Sequence, residues 1–323
     1  MAVLVYTENW DGKFKKLSFE LVSYATGIAS MTNDSVVAVT IGHVDEKELS
    51  QLARYGASRI ITVSDERLKD LDNQAYARAI AEVVEKEKAG ILVFSHNNAG
   101  KAIAPRVAVL LKAGVAACVS SLPASIQPFV IMKKTYSGKA YGAVNILSEK
   151  KIVTLAQNSY EIKEQPVTPV METFTPSLAG VTIKTKVVDV QKQTGKVLLT
   201  DAEIVVSGGR GMKSPDNWKP IEELASLFGG ATACTRPVSD EGWRPHEEHT
   251  GQTGKIIAPN LYIAVGISGA TQHIAGISGS KYIVAINNDK SAPIFEVAQY
   301  GIVGDALKVL PALVEAVKEV KSR

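Results

Sequence analysis

Residues 261–289 read LYIAVGISGATQHIAGISGSKYIVAINND, and this stretch decides the fold class of the second half of the chain. An apolar run ends at Gly266, a short helical segment follows, and a second apolar run leads into Asn287 and Asp289. Apolar strands that alternate with helices indicate parallel strands joined by crossover helices. Ligands of an open parallel sheet bind beyond the carboxyl ends of its strands. The loops after these strands are therefore predicted to line one ligand cleft.

The same pattern continues on both sides of this stretch. Upstream, AEIVVSGGRGMKS (202–214) takes a predicted strand at 202–206 into a glycine-rich loop with Arg210, and a helix is predicted from Pro220. Downstream, YGIVGDALKVL (300–310) places Asp305 directly after another strand. An arginine between glycines that bring the backbone close to a ligand suits a phosphate, and an ordinary surface arginine is the alternative. Neither glycine loop matches the GxGxxG spacing of a dinucleotide fingerprint.

The segment HTGQTGK (249–255) resembles the end of a phosphate-binding P-loop but fails its requirements. A P-loop needs a glycine five residues before its second glycine and a Ser or Thr after its lysine. His249 and Ile256 occupy those two positions. The segment also leads into a strand rather than a helix, so ATP hydrolysis is not expected and the loop must serve another ligand.

The first half of the chain is predicted to be a second α/β domain. Strands are predicted at 2–6, 35–41, 59–63 and 91–95, with helices near 18–30, 45–55, 73–89 and 99–112. Short apolar runs at 129–136, 139–146 and 151–157 are predicted to be antiparallel additions to this sheet. A Pro- and Thr-rich stretch at 164–177 approaches a boundary near residue 190, which divides the chain into 1–190 and 191–323.

This first domain offers little sign of a ligand site of its own. Its first strand is followed by TENWDGKF, which contains one glycine and no phosphate loop. The polar cluster SHNNAGKAIAPR (95–106) could hold an anion at a helix N-terminus, but capping and loop polarity are the favoured interpretation. The domain is therefore predicted to be a scaffold or docking domain.

Composition excludes several classes of protein. The chain has 323 residues, 46% of them hydrophobic, which describes a compact globular protein of two domains. A net charge of +3 without a run of basic residues gives no reason to expect a nucleic-acid partner. Cys118 and Cys234 form no metal-ligand cluster, and no metal is predicted. The chain lacks an apolar run of about 18 residues and an export signal, so a cytoplasmic protein that is not embedded in a membrane is expected.

The cleft residues point to a bound cofactor rather than to acid–base catalysis. Neither a nucleophile with its base, nor paired carboxylates, nor zinc-ligand spacing occurs in the sequence. Glycines, amides and hydroxyls predominate, and such a site binds a cofactor that carries its own chemistry. Two of these residues have more than one interpretation. Arg236 either lies over a planar ligand or pairs with Asp240, and His273 by itself is typical of a structural histidine.

Five motifs in order then resemble one family over the whole second domain. They are SGGRGMKS (207–214), RPVSDEGW (236–243), TGQTGK (250–255), the stretch quoted first, and APIFEVAQYGIVGD (292–305). The first domain adds AGKAIAPRVA (99–108) and TYSGKA (135–140). Together they resemble the alpha subunits of electron-transfer flavoproteins.

This resemblance implies a fold, a cofactor and partners. It implies a nucleotide-hydrolase-like N-terminal α/β domain with antiparallel additions and a Rossmann-like parallel-sheet domain that binds FAD. It also implies a heterodimer with a beta subunit in the bacterial cytoplasm. Such a heterodimer carries electrons from flavin dehydrogenases, including acyl-CoA dehydrogenases of fatty acid beta-oxidation, to a membrane quinone reductase. An electron carrier without substrate turnover of its own is therefore expected. A non-redox regulatory subunit that binds an adenine nucleotide is the alternative.

The resemblance also implies which residues contact FAD. They are Arg210, Thr235, Arg236, Thr250, Gly251, Gln252, Thr253, Ser268, Gly269, Ala270, Thr271, Gln272, His273, Asn287, Asp305 and Ala306. Arg210 is implied to meet the phosphates, and Asn287 and Asp305 to hold the adenosine half. Arg236 beside the flavin ring, Thr253 near N5 and O4, and His273 at O2 are implied to tune the redox step.

Two positions depart from the family pattern. Many relatives have Gln and an aliphatic residue before GQTG, whereas this chain has His249 and Thr250. A second histidine near the flavin puts the pH dependence of its potential in doubt. Thr235 replaces a serine that is common in the family, and this exchange keeps the hydroxyl group.

Overall fold

A computed structural model describes residues 2–136, 140–183, 185–190 and 197–322. Ser137, Gly138 and Lys139 of the TYSGKA motif lie outside the described residues. The chain forms two compact units, Met1–Val190 and Gln191–Arg323.

The first unit contains eleven strands and four α-helices within the described residues. The strands are β1 Ala2–Tyr6, β2 Asn9–Trp10, β3 Lys13–Phe14, β4 Ser35–Ile41, β5 Ala57–Val63, β6 Ala89–Ser95, β7 Gly114–Val119, β8 Phe129–Thr135, β9 Ala140–Ile146, β10 Lys151–Leu155 and β11 Val170–Phe174. The helices are α1 Lys16–Thr32, α2 Glu46–Ala53, α3 Asn73–Glu87 and α4 Asn98–Leu111. The predicted strands and helices of the first 112 residues are thus confirmed.

Nine of these strands form one mixed sheet in the order β11-β5-β4-β1-β6-β10-β7-β8-β9. The pairs β7–β8 and β8–β9 are antiparallel, as predicted for the added strands. The prediction is wrong for β10, which lies between β6 and β7 and pairs with both in parallel. Ile152–Leu155 are buried, and a strand covered on both faces belongs in the parallel interior of the sheet. The Pro- and Thr-rich stretch also contains a strand, β11, which pairs with β5 at one edge.

Helices cover both faces of this sheet, which explains the continuous apolar runs. Along β1, Val3 and Val5 pack with residues of α1 and α2, while Leu4 packs with residues of α3 and α4. Because successive side chains of a strand point to opposite faces, a strand covered on both faces, such as β1, is apolar at every position.

The second unit is a five-stranded parallel sheet with helices on both faces. Its strands are β12 Ile204–Gly208, β13 Ala231–Cys234, β14 Leu261–Val265, β15 Tyr282–Asn287 and β16 Tyr300–Val303. Its helices are α5 Lys219–Leu227, α6 Arg236–Asp240, α7 Thr271–Ile277, α8 Ile294–Val297 and α9 Ala306–Ser322. The order β13-β12-β14-β15-β16 confirms the predicted parallel sheet.

Candidate functional site

The candidate site lies at the carboxyl edge of the second sheet, where the strand order reverses. The chain passes from β12 outward to β13 and then returns to β14 on the other side of β12. Such a switch point leaves a crevice between the loops that follow the two neighbouring strands. Every predicted site residue follows one of the five strands or lies in the loop before β14, except Asn287, which is the last residue of β15.

The glycines around Arg210 hold two loops together. Gly211 N–H donates to Gly266 O at 3.0 Å, and a methyl group on Gly209 would lie 2.3 Å from the same oxygen. Gly266 has φ +62°, a left-handed conformation that favours glycine. These glycines admit the neighbouring loop, and their approach to a ligand stays a prediction. Arg210 itself is exposed at this edge.

The GQTG loop, residues 251–254, is fixed across helix α7. Gln252 N–H donates to Gln272 O at 2.8 Å, and Ile257 N–H donates to Gly276 O at 2.8 Å. A methyl group on Gly276 would lie 2.4 Å from Gly251 Cα, so the loop rests directly on the helix backbone. The side chains of Gln252 and Thr253 stay exposed. The loop is thus a rigid support that presents one amide and one hydroxyl.

His273, on α7, contacts the residue that precedes the GQTG loop. Its Nδ1 lies 3.1 Å from Thr250 O, and its Nε2 lies 2.8 Å from the Tyr262 hydroxyl. A carbonyl only accepts, so Nδ1 carries the proton and Nε2 accepts from Tyr262. Burial lowers the pKa of His273 to about 4, and the ring is neutral at pH 7. Both nitrogens are engaged within the protein, so a hydrogen bond to FAD requires exchange of one of these partners.

The low pKa of His273 predicts acid sensitivity. The unfolded chain takes up a proton near the ordinary pKa of 6.5, whereas the folded chain does so only near 4. Stability is therefore unaffected by this group above pH 6.5 and falls as the pH drops toward 4. At pH 5 the loss is about 2 kcal/mol.

Urea unfolding at pH 7 and pH 5 measures this loss. His273→Gln should lose less stability than the wild type between the two pH values. Burial also lowers the pKa of His96, in the first unit, to about 4. Both proteins contain His96, so its contribution to the loss of stability cancels in the comparison. Equal losses in the two proteins would remove His273 as the cause.

Thr235 and Arg236 begin helix α6 beside the switch point. Thr235 is buried, and its N–H donates to Gly208 O at 3.2 Å. Arg236 is exposed and places Nε 3.3 Å from Asp240 Oδ2. This ion pair with Asp240 is the second of the two interpretations that the sequence left open for Arg236. An exposed ion pair of this kind contributes about 0–1 kcal/mol. The guanidinium can therefore exchange Asp240 for another partner at little cost.

The residues predicted to hold the adenosine half of FAD make hydrogen bonds within neighbouring loops. Asn287 Nδ2 donates to Ile267 O at 2.8 Å, and Asp305 Oδ1 accepts from Leu307 N–H at 3.0 Å, which caps α9. Ala306 is buried in the first turn of that helix. Lys213 Nζ lies 3.7 Å from Asp305 Oδ2, which adds a cation to this end of the crevice.

The loop after β14 supplies the remaining predicted residues. Ser268 O accepts from Ile294 N–H at 3.0 Å, and a methyl group on Gly269 would lie 2.4 Å from that nitrogen. Ser268, Ala270, Thr271 and Gln272 are exposed, and Gly269 is buried. The segment thus presents a hydroxyl- and amide-rich surface on the switch-point side of α7.

Two buried polar atoms beside the loop have no hydrogen-bond partner among the described residues: His249 Nδ1 and Thr250 Oγ1. Around them lie exposed amide, hydroxyl and guanidinium groups. No cluster of three metal-ligating residues occurs in the described part of the chain. Burial raises the pKa of the Cys234 thiol to about 12, so this cysteine stays protonated. Unsatisfied hydrogen-bonding capacity, cations for phosphate and the lack of an acid–base pair fit a flavin dinucleotide.

Comparison with known proteins decides the family. The Electron transfer flavoprotein domain matches residues 3–184, and the Electron transfer flavoprotein FAD-binding domain matches residues 198–278. The chain is 36% identical over 316 residues to the electron transfer flavoprotein subunit alpha of Syntrophomonas wolfei, covering 98% of each protein. The chain belongs to the alpha-subunit family of electron transfer flavoproteins. FAD is accordingly the cofactor of its second unit.

Two further relatives show the breadth of this alpha-subunit family. The electron transfer flavoprotein subunit alpha of Bacillus subtilis is 34% identical over 318 residues, covering 98% of this chain and 97% of that protein. The acryloyl-CoA reductase electron transfer subunit beta of Anaerotignum propionicum is 32% identical over 354 residues, covering 99% and 96%.

The polar cluster at 95–106 serves the first unit's own structure. Ser95 Oγ and Asn97 Nδ2 both donate to Glu8 Oε1, at 2.7 and 2.8 Å, and Asn97 Oδ1 accepts from Gly100 N–H at the start of α4. These contacts agree with the capping interpretation of the cluster. Of the helices in the described residues, none combines the length and the apolar character that crossing a membrane requires.

The sequence motifs do not distinguish three residues that organise the site. Lys213 lies in the glycine-rich loop, and its charge is the signal that could have drawn attention to it. Tyr262 and Gly276 carry no such signal, because a tyrosine in a strand and a glycine in a helix acquire their roles only through His273 and Gly251.

Proposed function

We propose that this alpha subunit, together with a beta subunit, carries electrons from flavin dehydrogenases to a membrane quinone reductase. Acyl-CoA dehydrogenases of beta-oxidation are the proposed donors, and the bacterial cytoplasm is the proposed compartment. The observation that carries the proposal is the cofactor edge itself, which presents hydrogen-bond donors and cations but no acid–base pair. FAD, when bound, supplies the chemistry by accepting and releasing electrons one or two at a time.

The positions of the residues support the following proposed roles. Arg210 and Lys213 provide positive charge for the phosphates, and Asp305 and Asn287 order the loops proposed for the adenosine half. The residues proposed for the flavin ring are Thr235, Arg236, Thr250, Gly251, Gln252 and Thr253. Those proposed for the pyrophosphate and pyrimidine side are Ser268, Gly269, Ala270, Thr271, Gln272 and His273, with Ala306 beside Asp305. These groups bind and orient the cofactor, and none of them removes a proton from a substrate.

The chain is expected to hold FAD firmly only together with its beta subunit. Gln252, Thr253 and Arg236 are exposed in the chain, so a ring held by these side chains would keep one side in contact with water unless the beta subunit covers it. The co-expressed heterodimer should contain one FAD and show a flavin absorbance band, whereas the chain alone should lose FAD during gel filtration. Titration of the purified proteins by visible absorbance measures both quantities.

The same spectrum tests the alternative function. A non-redox regulatory subunit would bind an adenine nucleotide and show no visible band in the heterodimer. A monomer that keeps stoichiometric FAD through gel filtration and reduces a quinone reductase without the beta subunit would contradict the proposed dependence on that subunit.

A further inference from the structure

The imidazole of His249 lies inside the turn made by the GQTG loop. The residue is 3% exposed. A methyl group on Gly254 would lie 2.8 Å from His249 Nδ1, and one on Gly251 would lie 3.5 Å from Nε2. The absence of side chains at these two glycines makes room for the ring. His249 therefore supports the loop from its inner side, in direct contact with the backbone proposed to carry the flavin.

A second imidazole, exposed to solvent, lies beside this ring. The exposed imidazole of His246 lies with its centroid 5.4 Å from that of His249. Both residues are held in one turn, because His249 N–H donates to His246 O at 3.0 Å. One histidine thus faces water and the other faces the loop.

The ionisable groups around His249 come from four elements. They are Cys234 on β13, Arg236 and Asp240 on α6, His246 and Glu248 in the turn 246–248, and His273 on α7. Cys234 and His273 are neutral at pH 7, Glu248 binds Arg244 through both carboxylate oxygens, and Arg236 is paired with Asp240. A charge that arises on His249 therefore shares its counter-charge, Asp240, with Arg236.

The ring is neutral in this environment. Burial is the main cause that lowers the pKa of His249 below its usual value, the charges of His246 and Arg236 lower it further, and Asp240 opposes them. The lowered pKa favours the neutral ring, and its buried Nδ1 makes no hydrogen bond within the described residues. Negative charge on the far side of the loop would stabilise the imidazolium.

We propose that His249 takes up one proton from solvent when FAD accepts its first electron. This inference rests on the proposed function, in which residues of the GQTG loop hold the flavin ring. The electron comes from the donor dehydrogenase and the proton from water by way of His246, so the net charge of the site does not change. His249 is a positioning residue that acts through the loop, and no bond to FAD forms or breaks.

The sign of the pH dependence follows from linkage. Burial holds the pKa of His249 below its ordinary value, and negative charge on reduced FAD would raise it. Between the pKa with oxidised FAD and the pKa with reduced FAD, reduction takes up a proton, so the first reduction potential falls as the pH rises. If one proton is taken up per electron, the first reduction potential changes by at most about 59 mV per pH unit. Above the upper value the potential no longer depends on this group.

The test compares first reduction potentials of the assembled heterodimer between about pH 5.5 and 8.5. The proteins are the wild type, His249→Gln and His43→Gln, an exposed histidine of the first unit that serves as the matched control. We expect a sloping region in the wild type and in His43→Gln, and its loss in His249→Gln. An unchanged slope in His249→Gln would assign the proton to another group and overturn the inference.

Proton uptake by the wild type provides a second test that does not depend on the variant. Photoreduction by one electron in weak buffer with an indicator dye should show uptake within the sloping range and none above it. Reduction without uptake anywhere in the range would overturn the inference while the proposed function stands. A wild-type heterodimer without FAD would instead overturn the proposed function, and this inference with it.

Discussion

Gly276→Ala is expected to lower the affinity of the heterodimer for FAD at least about tenfold by displacing the GQTG loop. The added methyl group would lie 2.4 Å from Gly251 Cα and 2.6 Å from Gly251 N. Carbon atoms in contact prefer about 3.5 to 4.0 Å, so the loop must move by about 1 Å or more. Because the obstructing atoms belong to the backbone, no change of rotamer relieves the overlap.

The clash outweighs the gain that alanine brings to a helix. Replacing an interior glycine by alanine stabilises a helix by about 1 kcal/mol. Moving the loop endangers three hydrogen bonds, from Gln252 N–H, Ile257 N–H and His273 Nδ1, each worth about 1 kcal/mol. The loop also carries the residues proposed for the flavin ring, so its displacement is felt mainly in FAD binding.

Fluorescence titration of the apo heterodimer with FAD measures this affinity. Gly142→Ala is the matched control, because a methyl group there would lie an ordinary 3.4 Å from Thr135 Cγ2 on a neighbouring strand. The control should bind FAD like the wild type. Wild-type affinity in Gly276→Ala would show that the loop yields without cost and would separate it from FAD binding.

The fold could be predicted where local pattern and final environment agree. The second sheet is such a case, since each of its strands is a short apolar run followed by a glycine or polar loop. Strand β10 is not, because KIVTL is equally consistent with an edge hairpin and a central parallel strand. Its place between β6 and β7 depends on the long-range burial of Ile152 and Leu155, which no local signal reveals.

For the site, the sequence likewise predicts which residues gather better than it predicts the contacts that each one makes. The edge on which the candidate residues gather follows from the parallel order of the strands, and the sequence suffices for that. The tautomer of His273 does not follow from it, because Tyr262 and Thr250 are eleven and 23 residues away along the chain. The glycines beside Arg210 show the same limit: glycine permits close approach, but the sequence does not reveal that the Gly266 loop is one of the groups that approach.

Arg236→Ala is expected to lower the first reduction potential of bound FAD more than His273→Ala does. Adding one electron to the flavin adds negative charge, and a fixed guanidinium beside the ring favours that state. At an effective dielectric of about 20 and a separation of roughly 4 Å, one charge contributes about 4 kcal/mol before exposure reduces it. A third of that figure corresponds to a shift on the order of 60 mV.

His273 differs from Arg236 because it is neutral and internally bonded. Its removal leaves the Tyr262 hydroxyl and Thr250 O without their partner, which costs about 1–3 kcal/mol for each buried group. His273→Ala should therefore act on the stability of the second unit and on the placement of the loop. Its effect on the potential is expected to be smaller, since no charge is lost.

Spectroelectrochemical titration of the heterodimers at pH 7 to 8 separates these effects. Arg236→Lys retains the charge and should recover part of the potential, while Asp240→Asn should not lower it, because it only releases the guanidinium from its ion pair. Arg54→Ala removes a similarly exposed, carboxylate-paired arginine from the first unit and controls for net charge. If Arg236→Ala leaves the first potential equal to that of Arg54→Ala while FAD stays bound, the guanidinium serves only Asp240. The charge that favours the reduced flavin must then come from elsewhere in the heterodimer.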